Sequence, residues 1–348
     1  MPNNPHAWNL TDLDKVPTNG LKVFSTFSCG GGSSMGYKLA GFDMVGANDI
    51  DPEMRWHYEK NLKPKLYIEG PIRNLITDDL PPELFELDVL DGSPPCSSFS
   101  MAGSREKAWG KEKHFREGQA VQVLDDLFFD YLDLVERLMP KVVVAENVKG
   151  MLHGQAKGYV QAIIKRLKQI GYRTQLFLVN SADCGVPQRR ERVFFVASRE
   201  DLDLPPLKLA PSSAWVSVYE ATHDVQDLTP EEIKHTSPAP FDLKWWPLTA
   251  KGRPYSRATL ELESRNSGFN IIRVDDRQPS ATVTASNVLR HWDECRTLSF
   301  REVKRIGSFP DDYQAKGENI GKYMVGMSVP PKMMQAVASA IADQWFGK

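Results

Sequence analysis

Cys96 closes the segment Gly92-Ser93-Pro94-Pro95-Cys96, and its setting is that of a nucleophile. Proline restricts the backbone ahead of it, and a thiol on a loop beyond a strand is placed to meet a ligand rather than to fill a core. A free thiol has a pKa near ~8.5, so attack at neutral pH calls for a neighbouring positive charge or base. Two further segments offer such neighbours. Glu146-Asn147-Val148 carries a carboxyl and an amide, and Gln188-Arg189-Arg190-Glu191-Arg192 carries cations, of which Arg190 or Arg192 could serve the thiol. Taken alone, the arginine run reads equally as a surface salt-bridge cluster. Cys29, Cys184 and Cys295 read as small buried hydrophobes.

A second group of residues suits a nucleotide-like ligand. Gly30-Gly31-Gly32 follows a strand and opens a helix, as glycine turns that bind NAD, a flavin or S-adenosylmethionine do, although a plain tight turn has the same sequence. Asp49, about twenty positions on, can accept hydrogen bonds from ribose hydroxyls, or can cap a helix.

The elements that must position these groups alternate. Apolar runs at 21–24, 44–47, 87–90, 142–145 and 176–179 read as strands, each ending in an unusual polar or glycine-rich sequence. Helical spacing appears at 32–42, 52–61, 124–138 and 159–170, the last closed by Gly171 at a left-handed cap. Alternation of this kind predicts an α/β fold with a parallel sheet and a site at the carboxyl ends of its strands. After Ser198 the prolines 205, 206, 211, 238, 240, 247 and 254 interrupt the chain, and long helical patterns are absent until Thr297. Residues 331–346 are again helical and are expected to pack on the first domain. The division expected is a polar leader at 1–20, a catalytic domain of 21–198 plus 319–348, and a smaller, irregular, partly β domain at 199–318.

Bulk composition narrows the class without naming it. The 348 residues are 41% hydrophobic and 25% charged, as in globular proteins with a sizeable core. No apolar run is long enough to span a bilayer, the polar start lacks a signal peptide's order, and four unpaired-looking cysteines suit a reducing compartment, so a cytoplasmic location is expected. The net charge of −2 gives no global sign of a polyanion partner. Between Arg105 and Arg116, however, five Lys or Arg face two Glu, directly after Cys96.

Taken together and in order, the segments Phe27 to Gly32 (FSCGGG), Asn48 to Asp51 (NDID), Gly92 to Ser100 (GSPPCSSFS), Glu146 to Val148, Gln188 to Arg192 (QRRER), Arg296 to Pro310 (RTLSFREVKRIGSFP) and Gly326 to Val329 (GMSV) resemble the cytosine-5 DNA methyltransferases of prokaryotic or phage type. The resemblance covers almost the whole chain. It implies a Rossmann-like sheet of the S-adenosylmethionine-dependent methyltransferases with an irregular target-recognition domain. It also implies methyl transfer to carbon 5 of a flipped-out cytosine in double-stranded DNA, through a covalent Cys96 adduct.

On this resemblance Cys96 attacks ring carbon 6, Glu146 serves ring nitrogen 3, Arg192 orients Glu146 and contacts the pyrimidine, Arg190 holds its loop and Asn147 fixes the strand end. The donor is expected against Phe27, Gly30, Gly31, Asp49, Ile50, Ile72, Leu127 and Ser328, with no metal. DNA contacts are expected from Ser98, Arg277, Thr282 and Arg290, with Trp245 and Trp246 as further candidates, and 97–118 is the expected lid, its basic surplus closing on phosphates. A monomer is expected, with a restriction endonuclease acting separately as a possible partner.

Four positions depart from the pattern: Ser25 where many members carry Asp, Cys29 where Gly is usual, Pro71 where an Asp commonly meets the adenine amino group, and Met327 in place of Asn. They raise a second reading, a modified donor. A transfer-RNA cytosine methyltransferase on the same scaffold is a third, but the Cys-Phe-Thr segment usual in those relatives is absent. A dehydrogenase would leave Cys96 and the arginines idle, and a DNA-binding regulator without activity would not need Cys96, Glu146 and Arg192 together.

Overall fold

The computed structural model describes residues 4–95, 112–113, 122–123, 127–154, 156–225, 227–286 and 288–348. Cys96, Ser98 and most of the expected lid lie outside the described residues. The chain divides into two compact units, one of Val16–Val179, Glu191–Ala210 and Met334–Lys348, the other of Met1–Lys15, Asn180–Arg190 and Pro211–Met333.

The first unit is built on a seven-stranded sheet. Its strands are β1 (Lys22–Thr26), β2 (Asp43–Asp49), β3 (Tyr67–Glu69), β4 (Val89–Gly92), β7 (Val142–Val148), β8 (Tyr172–Asn180) and β9 (Glu191–Arg199), in the order β3-β2-β1-β4-β7-β9-β8; β5 (Glu112–Lys113) and β6 (Gln122–Val123) form a separate pair. Val142 to Ala145 are all buried, the near-continuous apolar run expected of a strand covered on both faces. The covering helices include α1 (Gly32–Leu39), α2 (Pro52–Leu62), α4 (Leu127–Leu138) and α5 (Ala156–Ile170), while α3 (Asn74–Thr77) is a single turn. Phe128, Tyr131 and Val135 of α4 meet Leu90, Val143 and Phe195 of the sheet in one hydrophobic core. Gly171 closes α5 at φ 102, as its sequence position predicts.

Strands β3, β2, β1, β4 and β7 run parallel, but β9 is antiparallel to β7. The departure from an all-parallel sheet has a simple cause. Only residues 181–190 separate β8 from β9, with a single 3-10 turn (Ser181–Cys184) and no crossover helix to carry the chain back.

Ahead of Thr297 the second unit holds short helices, α6 (Val218–Thr222), α7 (Pro230–Thr236), α8 (Pro240–Trp245) and α9 (Tyr255–Glu263), followed by α10 (Phe300–Ile306) and α11 (Glu318–Met327). Pro230 and Pro240 occupy first-turn positions, where a missing N–H costs nothing, so Pro240, one of the interrupting prolines, is also a helix start. Ser217 with Glu220 and Thr229 with Glu232 form capping boxes on α6 and α7. The β content is a small sheet of β10 (Arg253–Pro254), β11 (Ile272–Arg273) and β12 (Leu289–Arg290).

The last helix, α12 (Pro331–Ile341), buries Met334, Val337 and Ile341, and Gln335 donates to the carbonyl of Leu39 at 3.3 Å. Trp345 donates its indole N–H to Pro205 at 2.8 Å. No helix among the described residues is long and apolar enough to cross a membrane.

Candidate active site

In the sheet unit, Glu146 and Asn147 stand at the end of β7 and Arg192 near the start of β9. Val148 is in register with Arg192 and Glu146 with Phe194, so Arg192 lies diagonally across the ladder from Glu146, within its reach. Arg192 Nε meets Glu146 Oε1 at 2.8 Å, and both side chains are largely buried. Burial lowers the Arg192 guanidinium from its ordinary value while Glu146 pulls it back up. The guanidinium also donates to the carbonyl of Glu191 at 2.8 Å, and the Glu191 carboxylate turns outward to Lys149 at 2.8 Å.

Asn147 links β7 to the Pro-Pro-Cys segment. Its Nδ2 donates to the carbonyl of Pro94 at 2.9 Å, and its Oδ1 accepts from the N–H of Val148 at 2.8 Å. With both amide groups engaged, the side chain fixes the backbone two residues before Cys96 in the sequence.

The glycine turn and the end of β2 form one hydrogen-bonded corner. Phe27 and Cys29 have φ 53 and φ 48, left-handed values uncommon outside glycine, and Phe27 is half-buried against the core. Gly31, at φ 84, has no room for a side chain, because a Cβ there would lie 2.3 Å from Leu62 Cδ1. Asp49 Oδ2 accepts the N–H of Cys29 at 2.8 Å and Oδ1 accepts that of Asp51 at 3.0 Å. Burial pushes the Asp49 carboxyl up to about 6 against these two hydrogen bonds. The residue that caps α2 is Asp51, whose side chain takes the N–H of Glu53 at 2.8 Å, so Asp49 is not the cap. Gly30 is buried in the turn and Ile50 half-buried after β2. Ile72 and Leu127 are buried in the sheet unit's core, and Pro71 is half-buried beside Ile72.

Ser25, the first departure from the family pattern, donates its hydroxyl at 2.6 Å to Asp91, a carboxylate only 1% exposed on β4. A carboxylate is thus present at this level of the sheet, on the strand next to β1. Sequence reasoning passed over Asp91; an acid inside the apolar run Val89-Leu90-Asp91 is the signal that could have found it.

In the other unit, Arg190 is 4% exposed and donates Nη1 to the carbonyls of Val283 and Gly326, each at 3.0 Å. Gln188 accepts the N–H of Val283 at 3.0 Å, and Thr282 donates its hydroxyl to the carbonyl of Arg189 at 2.8 Å. A Cβ on Gly326 would sit 2.4 Å from the carbonyl carbon of Thr284, so this contact requires glycine. The Gln-Arg-Arg, Thr-Val and Gly-Met-Ser-Val segments therefore share one knot, to which the sequence pointed only through Thr282 and Arg190. Ser328 is buried and donates its hydroxyl to Met324 at 2.9 Å, while Met327 is 46% exposed.

The expected DNA-contacting residues are placed differently from one another. Arg277 is exposed. Arg290 is buried, its Nε 2.6 Å from Asp242, and Trp245 packs with Tyr255 in that unit's core. Trp246 lies under the Arg273 guanidinium at 3.8 Å and donates to the carbonyl of His291 at 2.8 Å.

Residues 21–343 match the family model described as C-5 cytosine-specific DNA methylase. Among curated proteins, the Type II methyltransferase M.NgoPII of Neisseria gonorrhoeae is 29% identical over 347 residues, covering 93% of this chain and 96% of that one. M.FnuDI of Fusobacterium nucleatum is 30% identical over 361 residues, covering 93% and 94%. Among solved structures, a putative DNA modification methyltransferase encoded within an E. coli prophage superposes with a TM-score of 0.69 at 19% identity, over 94% of this chain and 100% of that one. Dnmt2 of Spodoptera frugiperda superposes with a TM-score of 0.62 at 17% identity over 94% and 100%, a likeness of fold. The chain belongs to the C-5 cytosine-specific DNA methylases, and by that membership it is a DNA cytosine-5-methyltransferase.

Proposed function

We propose that the protein methylates carbon 5 of a cytosine flipped out of a specific duplex DNA sequence, using S-adenosylmethionine as donor and Cys96 as a transient covalent nucleophile. The observation that carries this reading is the 2.8 Å pair of Arg192 with Glu146 on the strand whose Asn147 anchors the Pro-Pro-Cys segment.

Cytosine is a weak electrophile, so the Cys96 thiolate attacks carbon 6 only as Glu146 hydrogen-bonds or protonates nitrogen 3. The new sulfur–carbon bond leaves electron density at carbon 5. When bound, the donor supplies an electrophilic methyl group there. Loss of the carbon 5 proton then restores the ring and expels the Cys96 thiolate, which is ready for another cycle. Arg192 holds Glu146 toward the base, and its buried charge is worth more there than it would be in water.

The corner at Asp49 fits the donor. Each Asp49 carboxylate oxygen accepts a backbone N–H and retains acceptor capacity for a ribose hydroxyl. Phe27, Gly30, Gly31, Ile50, Ile72 and Leu127 are the residues proposed to line the donor there. Arg277, Thr282 and Ser98 are the proposed DNA contacts, with the other unit as the target-recognition part. Arg290 is not among them, because its guanidinium is buried against Asp242 at 2.6 Å.

Duplex DNA containing 5-fluorocytosine tests the proposal, because fluorine at carbon 5 blocks the final elimination. A denaturation-resistant protein–DNA adduct that requires donor and disappears in Cys96→Ser supports it, and no adduct with DNA overturns it.

A further inference from the structure

Of the arginines in Gln188 to Arg192, Arg189 is the one that the proposed chemistry leaves unused. Gln188 forms a parallel bridge with Ser280, and in extended chain successive side chains point to opposite faces. Gln188 and Arg190 are 1% and 4% exposed, so Arg189 between them projects outward, and it is exposed. Its backbone is tied on both sides. The N–H of Arg189 donates to the carbonyl of Ser280 at 2.8 Å, and its carbonyl accepts the hydroxyl of Thr282 at 2.8 Å.

The two segments that meet here, residues 185–190 and 277–286, contain no Asp or Glu. The acids nearest to Arg189 in the chain are engaged, Glu191 with Lys149 and Asp183 with the indole of Trp215, each at 2.8 Å. Among the described residues Arg189 forms no ion pair, and neither does Arg277, which is also exposed and lies three residues ahead of Ser280. Cations without an acid beside them keep their charge for a polyanion. Thr282 is placed differently. A hydroxyl has one hydrogen, and that of Thr282 goes to the Arg189 carbonyl, so it has only lone pairs left to offer. A phosphate oxygen is itself an acceptor and binds through donors, of which a guanidinium has five.

We propose that Arg189 is a DNA contact that holds a backbone phosphate beside the target cytosine, and that Thr282 is a positioning residue that serves the DNA by way of Arg189. In the chain only Arg190 and Glu191 separate Arg189 from Arg192, a span of at most about 11 Å, which sets the phosphate among those flanking the base. The contact carries no sequence information and fixes where the strand lies. The inference rests on the reading of duplex DNA as substrate given above, and it narrows the part of Thr282, named there as a contact, to holding Arg189.

The test is tritiated methyl transfer from S-adenosylmethionine to amplified, unmethylated genomic DNA by the full-length protein at several salt concentrations. Arg189→Gln is expected to raise KM for DNA roughly tenfold and to make its salt dependence shallower by about one counterion, whereas Arg189→Lys keeps the slope. Thr282→Val is expected to raise KM while Arg189 is present and to add nothing in Arg189→Gln, and Thr282→Ser, which keeps the hydroxyl, is expected to match the wild type. Unchanged KM and salt slope in Arg189→Gln would overturn the inference. So would an equal effect of Thr282→Val with and without Arg189, which would make Thr282 a contact in its own right. Because the Arg189 side chain is exposed, Arg189→Gln decides even where Thr282→Val does not fold. Absence of transfer to DNA by the wild type, or transfer to RNA in its place, would instead defeat the reading of the substrate on which the inference rests.

Discussion

The amide of Asn147 donates to the carbonyl oxygen of Pro94 at 2.9 Å, across 53 residues of sequence, so the strand that carries Glu146 also sets the chain leading to Cys96. Replacing Asn147 by Leu leaves that buried carbonyl without its donor, a loss of about 1–3 kcal/mol. The expected outcome is slower adduct formation on 5-fluorocytosine DNA with donor affinity unchanged, measured by single-turnover trapping and by calorimetry. Unaltered trapping in Asn147→Leu would show that the anchor is dispensable.

Arg192 and Glu146 form a pair that substitution breaks asymmetrically. Arg192→Met leaves a carboxylate largely buried without its charge partner, and transfer is expected to fall by about 10²–10³, as when a preorganised electrostatic donor is removed. Arg192→Lys keeps the charge but not the planar fork, so it is expected to recover only part of the rate. Steady-state kcat on unmethylated DNA decides between these outcomes.

Donor affinity is expected to depend on pH through Asp49. Its carboxyl is held up to about 6 by burial, and only the ionised form offers every lone pair to ribose hydroxyls. Kd for S-adenosylmethionine should therefore rise as pH falls through about 6, and Asp49→Asn should bind weakly with a flat profile. Equal pH dependence in the two proteins would remove Asp49 from donor recognition.

Asp91 makes a stability prediction with a definite sign. Its folded-state value, about 7, lies above the ordinary 3.8, so its contribution to folding is fully favourable below pH 3.8 and is lost as pH rises through 7. Asp91→Asn, which cannot ionise, is expected to be more stable than the wild type at pH 8 by about 1–3 kcal/mol and to lose that advantage by pH 4. Denaturant melts at the two pH values measure the difference.

Cys29 occupies a left-handed position that costs a non-glycine residue about 1 kcal/mol. Cys29→Gly is expected to recover part of that cost, offset by its lost contact with Met54, whose sulfur lies 3.6 Å from the Cys29 sulfur. Gly31→Ala, with φ 84 and Leu62 in the way, is expected to destabilise by about 1–3 kcal/mol. Urea unfolding of both variants checks the opposite signs.

Cys96, Glu146, Asp49 and the glycine turn stand out in the sequence because each falls where a strand signal meets an unusual polar or glycine-rich stretch, and both features are local. The Gly171 cap and the apolar face of α4 were legible for the same reason. Pro240 is less legible, because a proline that interrupts one pattern also suits the first turn of the next helix, and only the backbone beyond it distinguishes the two. The resemblance pairs Arg192 with Glu146, but the means of that pairing is strand register, which sets Arg192 diagonally across from Glu146 in the sheet unit, while Arg190 lies among the carbonyls of Val283 and Gly326 in the other. The Asn147 anchor and the Ser25–Asp91 bond join residues 53 and 66 positions apart, and pairings at that distance follow from the order and register in which strands assemble. The residue types were thus a property of the chain, whereas their pairing into a site came from the sheet, because a hydrogen bond depends on distances that only the folded backbone sets.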